Sequence, residues 1–220
     1  IAHMPDAQDY GIFVIDNAST DSTQEYLLSL GDQINTITIK VNKGFTNGYK
    51  LGLAQIDAEI FCLLSSDVQI SKNWLEPVVE LFDNDSKVAV IQPKIRSWHE
   101  KDSFEYAGGS GGFIDSLGYP FCRGRLFYDT EKDAGQYDDV REIFWASGAC
   151  FFIRSKVYEE SGGLDDDFYA HMEEIDLCWR IKNRGFKILV CPSSVVYHIG
   201  GAVIAYGSPE KTFRNHRNNL

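Results

Sequence analysis

Short apolar runs alternate with longer amphipathic stretches through the first half of the chain. "GIFVID", "INTITIKV", "AEIFCLLSSD" and "VAVIQPKI" read as strands. "DSTQEYLLSL", "TNGYKLGLAQI" and "NWLEPVVELFDN" lie between them and read as helices. Strands alternating with helices at this spacing predict crossover units and a mostly parallel sheet. The cores "IFVI" and "IFCLL" are continuously apolar, which predicts strands covered on both faces.

The pattern changes between about residues 96 and 145. "YAGGSGGFIDSLGYPFCRGRLFYD" is rich in Gly and aromatic residues and only weakly periodic, which predicts loops and short antiparallel pieces. Its "GGSGG", residues 108–112, lacks the strand-to-helix context of a phosphate-binding loop. It reads as a mobile loop, with an active-site flap as the alternative. "EIFWASGACFFIR" then predicts a strand, 171–184 a helix, and "FKILVCPSSVVYH" a further strand. The expected organisation is one domain: a regular α/β half over 1–95, and an irregular elaboration of the same sheet over 96–220.

Composition narrows the function classes. The 220 residues are 44% hydrophobic, enough for a sizeable core. With 21 Lys+Arg against 32 Asp+Glu the net charge is −11, which argues against general nucleic-acid binding but not against a local site for a phosphorylated small molecule. The five cysteines (Cys62, Cys122, Cys150, Cys178, Cys191) show no zinc spacing. Most sit in apolar runs, as buried reduced thiols do, and the expected compartment is reducing and cytoplasmic. No apolar run reaches the ~18 residues of a membrane span, and no signal peptide is visible.

Ligands of open parallel sheets bind at the carboxyl ends of the strands. Two predicted strands end in polar clusters there. In "VIDNASTDST", Ser22 and Glu25 have capping-box spacing. Asp16 precedes the helix by a full loop, so a cap explains it less well, and its carboxylate can accept from a base or ribose. In "CLLSSDVQI", Asp67 follows the strand directly. It is either a turn former or one ligand of a Mg²⁺ or Mn²⁺ ion completed by water and a diphosphate. His198 ends the last strand in "VVYHIGG", as a surface histidine or a metal ligand. Arg214 and Arg217 meet phosphates or are solvated. Glu173, Glu174 and Asp176 fit the first turn of a helix, where the macrodipole is worth about 0.3–1 kcal/mol to each. The competing reading makes one of them a general base.

Taken in order, "VIDNASTDST", "NKGFTNGYKLGL", "LLSSDV", "GGLDDDFYAHMEEIDLCWRIKNRGFKI" and "SVVYHIGG" resemble the inverting glycosyltransferases of family 2, and most of all their bacterial rhamnosyltransferase-like members. The resemblance runs from about residue 11 to 220. It implies a GT-A fold: a Rossmann-like, mostly parallel sheet with helices on both faces and a loop-rich acceptor side. It implies a UDP- or dTDP-sugar donor, a cell-surface glycan or lipid-linked acceptor, and Mn²⁺ or Mg²⁺. Asp16 would contact the nucleotide, with Asn17 and Ser19 in the same loop and Asn42, Gly44 and Asn47 near nucleotide and sugar. Asp67, which also falls in the donor site, and His198 would hold the metal. Glu174 would be the base, with Glu173 in reserve. Relatives work at the inner face of the cytoplasmic membrane, so the resemblance also implies peripheral membrane association, for which this chain shows no anchor.

The sequence departs from the family in four places. The metal motif reads Ser65-Ser66-Asp67, with a serine where an acid or amide is usual. The base position holds Glu rather than Asp. Lys50 stands where a small or amide side chain is common, which bears on donor choice. Relatives open with a strand ending in a Thr-Tyr-Asn-like motif, and they continue past the equivalent of "RNHRNNL". Against "IAHMPDAQDYGIFVID" this implies an incomplete chain lacking the fold's first strand. Two other classes stay open: a sugar nucleotidyltransferase, which would carry a glycine-rich basic loop near its start, and a degenerate transferase-like binding domain, which the serine in the metal motif favours.

Overall fold

A computed structural model describes residues 10–200 and 209–218. The elements in chain order are β1 (Phe13–Asn17), α1 (Thr23–Ser29), β2 (Asn35–Ile39), α2 (Phe45–Leu53), β3 (Ile60–Leu64), β4 (Val68–Ile70), α3 (Glu76–Asn84) and β5 (Val88–Ser97). Four short strands follow: β6 (Gly112–Ile114), β7 (Pro120–Cys122), β8 (Arg125–Leu126) and β9 (Asp129–Thr130). The chain ends with β10 (Arg141–Glu142), β11 (Cys150–Arg154), α4 (Ser155–Glu160), α5 (Glu173–Asn183), β12 (Lys187–His198) and α6 (Pro209–Asn218). Each predicted strand and helix of the first half is present, with ends shifted by a few residues. The short α4 was not predicted.

The main sheet has the order β10-β12-β5-β11-β3, with β4 paired to β12. β5 and β12 are parallel, and β11 is antiparallel to both β5 and β3. β3, β5 and β12 therefore share one direction, with β11 reversed between them. The long excursion after β5 explains the reversal. It returns the chain at the carboxyl end of β3, where Cys150 pairs with Leu64, so the next strand must run back down. β1 and β2 form a separate parallel pair.

Alternation along the strands divides the core into two layers. Leu63, Val90, Phe151, Ile153 and Val190 face Leu177 and Ile181 of α5. Ile91, Ile95, Phe152 and Val196 face Trp74 and Val78 and Phe82 of α3. The β5 strand is buried over its first eight residues, as a strand covered on both faces must be. β1 and β3 differ from that expectation. Phe61 and Leu63 are buried, but Cys62 and Leu64 are exposed, and Phe13 is half-exposed. β3 lies at the end of the sheet order, and α3 sits over β5 and β12 rather than over it.

Three local expectations are corrected. "EIFWASGACFFIR" is not one strand. The backbone between β10 and β11 turns at Ser147, whose N–H donates to Gln92 Oε1 (2.8 Å) and whose carbonyl accepts from Cys150 N (3.2 Å). The "GGSGG" segment is not a mobile loop but a buried strap across β5. Ile95 N donates to Gly109 O (2.9 Å) and Gln92 Nε2 to Gly108 O (3.1 Å). A Cβ on Gly112 would fall 2.1 Å from the Trp145 ring, so only glycine lets the strap lie this close. The capping box of α1 does not form: Ser22 makes no side-chain cap bond, and Thr23 N donates instead to Asp21 Oδ1 (3.0 Å).

The loops and short antiparallel pieces predicted over 96–145 are present as the β6–β7 and β8–β9 hairpins. A buried ion cluster ties them to the sheet. Lys94 bonds Asp133 (2.9 Å) with both side chains almost fully buried, and Arg96 shares the same carboxylate. Buried charges of this kind are tolerated only when paired. No helix among the described residues is long and apolar enough to cross a membrane. All five cysteines are free thiols, four of them buried.

Candidate active site

The residues predicted for the site gather into three groups at the carboxyl ends of the strands. The first lies where β1 meets α2. Asp16 is buried, with Oδ1 accepting from Ser19 N (2.9 Å) and Oδ2 from Gln24 Nε2 (3.0 Å). Those bonds, led by Ser19, hold its carboxyl below the usual carboxylate range. Asp16 and Ser19 thus shape the loop themselves. Asn17 Nδ2 donates to Gly44 O (3.0 Å) and Asn42 Oδ1 (3.3 Å), and Asn42 Oδ1 also accepts from Gly44 N (3.0 Å). The Oδ1 atoms of Asn17 and Asn47 and the Thr46 hydroxyl are buried without a hydrogen bond among the described residues. Buried polar atoms normally have partners, so these three are exceptions to that rule.

Gly44 has φ of 102°, and a Cβ there would fall 2.6 Å from the Tyr169 ring. The glycine lets a second loop close onto α2. Tyr169 O accepts from Phe45 N (2.9 Å) and Thr46 N (3.5 Å), which takes up the first free N–H groups of the helix. Lys50, one turn further on, pairs with Asp166 Oδ2 (2.8 Å) of the same loop.

The second group lies beyond β3 and β12. Ser65 Oγ donates to Asp67 Oδ1 (2.5 Å), and His198 Nε2 stands 3.3 Å from that oxygen. Glu105 Oε1 stands 3.4 Å from His198 Nδ1, on the opposite edge of the ring. Hydrogen bonding by His198 holds the Asp67 carboxyl down at about 2, against the opposing effect of burial. Burial disfavours the charged imidazole, but the neighbouring carboxylates of Asp67 and Glu105 outweigh it and lift His198 to about 9. Asp67 and His198 thus form an ion pair as they stand, and a Mg²⁺ or Mn²⁺ ion completed by water and phosphate oxygens would have to take the place of the Nε2 proton between them. Glu105 faces the other nitrogen as a nearby charge, without a well-formed hydrogen bond to it. No group of three or more such side chains that could enclose a cation is found among the described residues.

The third group is the acid pair at the start of α5. Glu173 is 5% exposed, and burial, followed by the charge of Glu174, raises its carboxyl well above the ordinary range. Glu174 is part-exposed and lies beside Gly148, where a Cβ would come within 3.7 Å of its Oε1. The next residue of that turn, Ala149, accepts from Ser65 N (2.9 Å), so one turn joins the base candidate to the metal-motif loop. Asp176 pairs with Arg180 (2.6 Å) on the helix surface. Arg217 bonds Asp167 O, and Arg214 lies over the Tyr169 ring (4.3 Å).

Residues 2–162 match the sequence profile described as Glycosyl transferase family 2. The protein belongs to glycosyltransferase family 2. This family member is 24% identical over 182 residues to the low-salt glycan biosynthesis hexosyltransferase Agl10 of Haloferax volcanii, across 81% of this chain and 55% of that one. It is 22% identical over 205 residues to the N-acetylglucosaminyl-diphospho-decaprenol L-rhamnosyltransferase of Mycobacterium tuberculosis, across 85% of this chain and 66% of that one. The chain thus spans between about half and two thirds of the length of these curated relatives. The crystal structure of GalNAc-T7 with UDP, GalNAc and Mn²⁺ superposes with a TM-score of 0.68 over 90% of this chain and 39% of that chain, at 18% identity. That likeness establishes the GT-A fold for the family-2 chain.

Glu105, Tyr169 and Asn218 were not singled out in the sequence. "SFEYAGG" carries no motif that marks an acid, and "FRNHRNNL" offers two arginines as phosphate ligands but nothing that marks Asn218.

Proposed function

We propose that the protein transfers a sugar, with inversion, from a UDP- or dTDP-sugar to a hydroxyl of a glycan or lipid-linked acceptor. Residues 1–95 supply most of the donor site, and 96–220 supply the base and the acceptor side. The observation that carries this reading is the division within the acid pair. Glu173 is sealed in the core, where burial favours its protonated form, while Glu174 is part-exposed beside the Gly148 turn with one carboxylate oxygen, Oε2, buried. Glu174 takes the proton from the attacking acceptor hydroxyl, worth about 10² to 10⁴ in rate for a well-placed general base. Asn17, Asn42, Gly44 and Asn47 position the nucleotide, with Asp16 and Ser19 at its edge. Asp67 and His198 hold Mn²⁺ or Mg²⁺, which when bound supplies Lewis-acid stabilisation of the departing diphosphate. One displacement with one carboxylate accounts for inversion, whereas a glycoside hydrolase needs two carboxylates across the bond.

Sugar-nucleotide turnover across a panel of UDP- and dTDP-sugars with Mn²⁺ tests the reading. Glu174→Gln is expected to slow turnover by about 10² to 10⁴ while donor binding holds. Turnover within about tenfold of wild type removes Glu174 from the base position. Absence of any donor binding by the wild-type protein would favour the degenerate binding domain.

A further inference from the structure

The turn that delivers Glu174 is strained. Tyr169, His171 and Met172 have φ of 63°, 71° and 72°, and none is glycine. Left-handed backbone is unfavourable for such residues, and it persists only where surrounding structure imposes it. α2 supplies one restraint through the Tyr169 carbonyl. α6 supplies the other. Asn218 Nδ2 donates to Phe168 O (3.2 Å), Ala170 O (3.0 Å) and His171 O (2.7 Å). The amide orientation is forced, because the flipped form would set Oδ1 against three carbonyl oxygens.

We infer that Asn218 is a positioning residue: by gathering three carbonyls of the strained turn, it fixes the first turn of α5 and with it the Glu174 carboxylate. The inference rests on the reading of Glu174 as base, but its structural part is independent of that reading. Asn218→Asp is nearly isosteric yet sets a carboxylate against the same three carbonyls. Asn218→Gln keeps the donors.

The test joins hydrogen exchange with turnover of the UDP- or dTDP-sugar that binds best. In Asn218→Asp, amides of residues 169–176 are expected to exchange at least about tenfold faster, the loss of roughly one net hydrogen bond. β5 and β12 amides should be unchanged. Unchanged exchange at 169–176, or acceleration across the whole molecule, overturns the inference. Turnover should fall by about tenfold or more in Asn218→Asp, with partial recovery in Asn218→Gln. In the Glu174→Gln background the same change should cost little, since residues acting through one group are non-additive. An equal loss in both backgrounds overturns the link to Glu174. Normal turnover in Glu174→Gln alone overturns the base assignment and leaves the exchange result to stand or fall by itself.

Discussion

β5 is buried over eight of its ten residues and β12 over six of its twelve, whereas β1 and β2 each bury one side chain fully, and in β1 that residue is Asp16. The two regions hold their shapes by different means. Around β5 and β12 close apolar packing fixes the backbone, and the ends of those strands carry the approach to Asp67, His198 and Glu105. Around β1 a polar interlock of Asp16, Asn17, Asn42 and Gly44 ties a strand end to a helix. One region is held by a core-built platform that carries charged groups at its end, the other by side-chain hydrogen bonds between a strand end and a helix.

Paired truncations can break that comparison. Ile91→Ala removes a fully buried side chain of β5 and should cost about 2–5 kcal/mol. Phe13→Ala, at a position 40% exposed in β1, should cost no more than about 0.5 kcal/mol. Denaturant titration of both variants decides, and equal losses would mean that β1 is held by packing after all.

A smaller, pH-dependent effect sharpens the contrast within the acid pair. The folded-state pKa of Glu173 lies above its unfolded value of about 4.3. The native state thus keeps a proton that the unfolded chain releases. The stability tied to it is intact below about pH 4.3 and declines as pH rises toward the folded pKa. Glu173→Gln should therefore leave melting near pH 4 unchanged and raise the melting temperature at pH 7.5. A lower melting temperature at pH 7.5 would show that Glu173 sits there as a stabilised anion.

A small effect is also expected at Lys50→Ala. Its ion pair with Asp166 is well exposed, so its loss should cost about 1 kcal/mol or less. A larger change in thermal melts would mean that this pair, and not the Tyr169 carbonyl, docks the acid turn onto α2.

The parts of the site readable from sequence are those set by local rules. Asp16, Asn17, Asp67 and His198 sit at strand ends, and strand ends were visible in the apolar pattern. Glu173 and Glu174 open a helix whose first turn is acidic. What escaped depends on contacts distant along the chain. Glu105 meets His198 only because a strap of glycines lies flat on β5, and what distinguishes that strap from a loop is its packing against Trp145 and Ser147, distant in sequence. Asn218 meets residues 168–171 across about fifty positions of sequence. The half-exposure of β3 follows from its place at the end of the sheet order, which no apolar run reveals.

Asp67 and His198 are proposed to serve a nucleotide diphosphate through a divalent cation. Calorimetric titration of UDP and dTDP, with and without Mn²⁺, tests it most directly in wild type and Asp67→Ala. The account predicts that Mn²⁺ tightens binding to the wild-type protein by at least about tenfold, ~1.4 kcal/mol, and that Asp67→Ala abolishes the gain. Equal affinity with and without Mn²⁺ in the wild type, or an undiminished Mn²⁺ effect in Asp67→Ala, would contradict it.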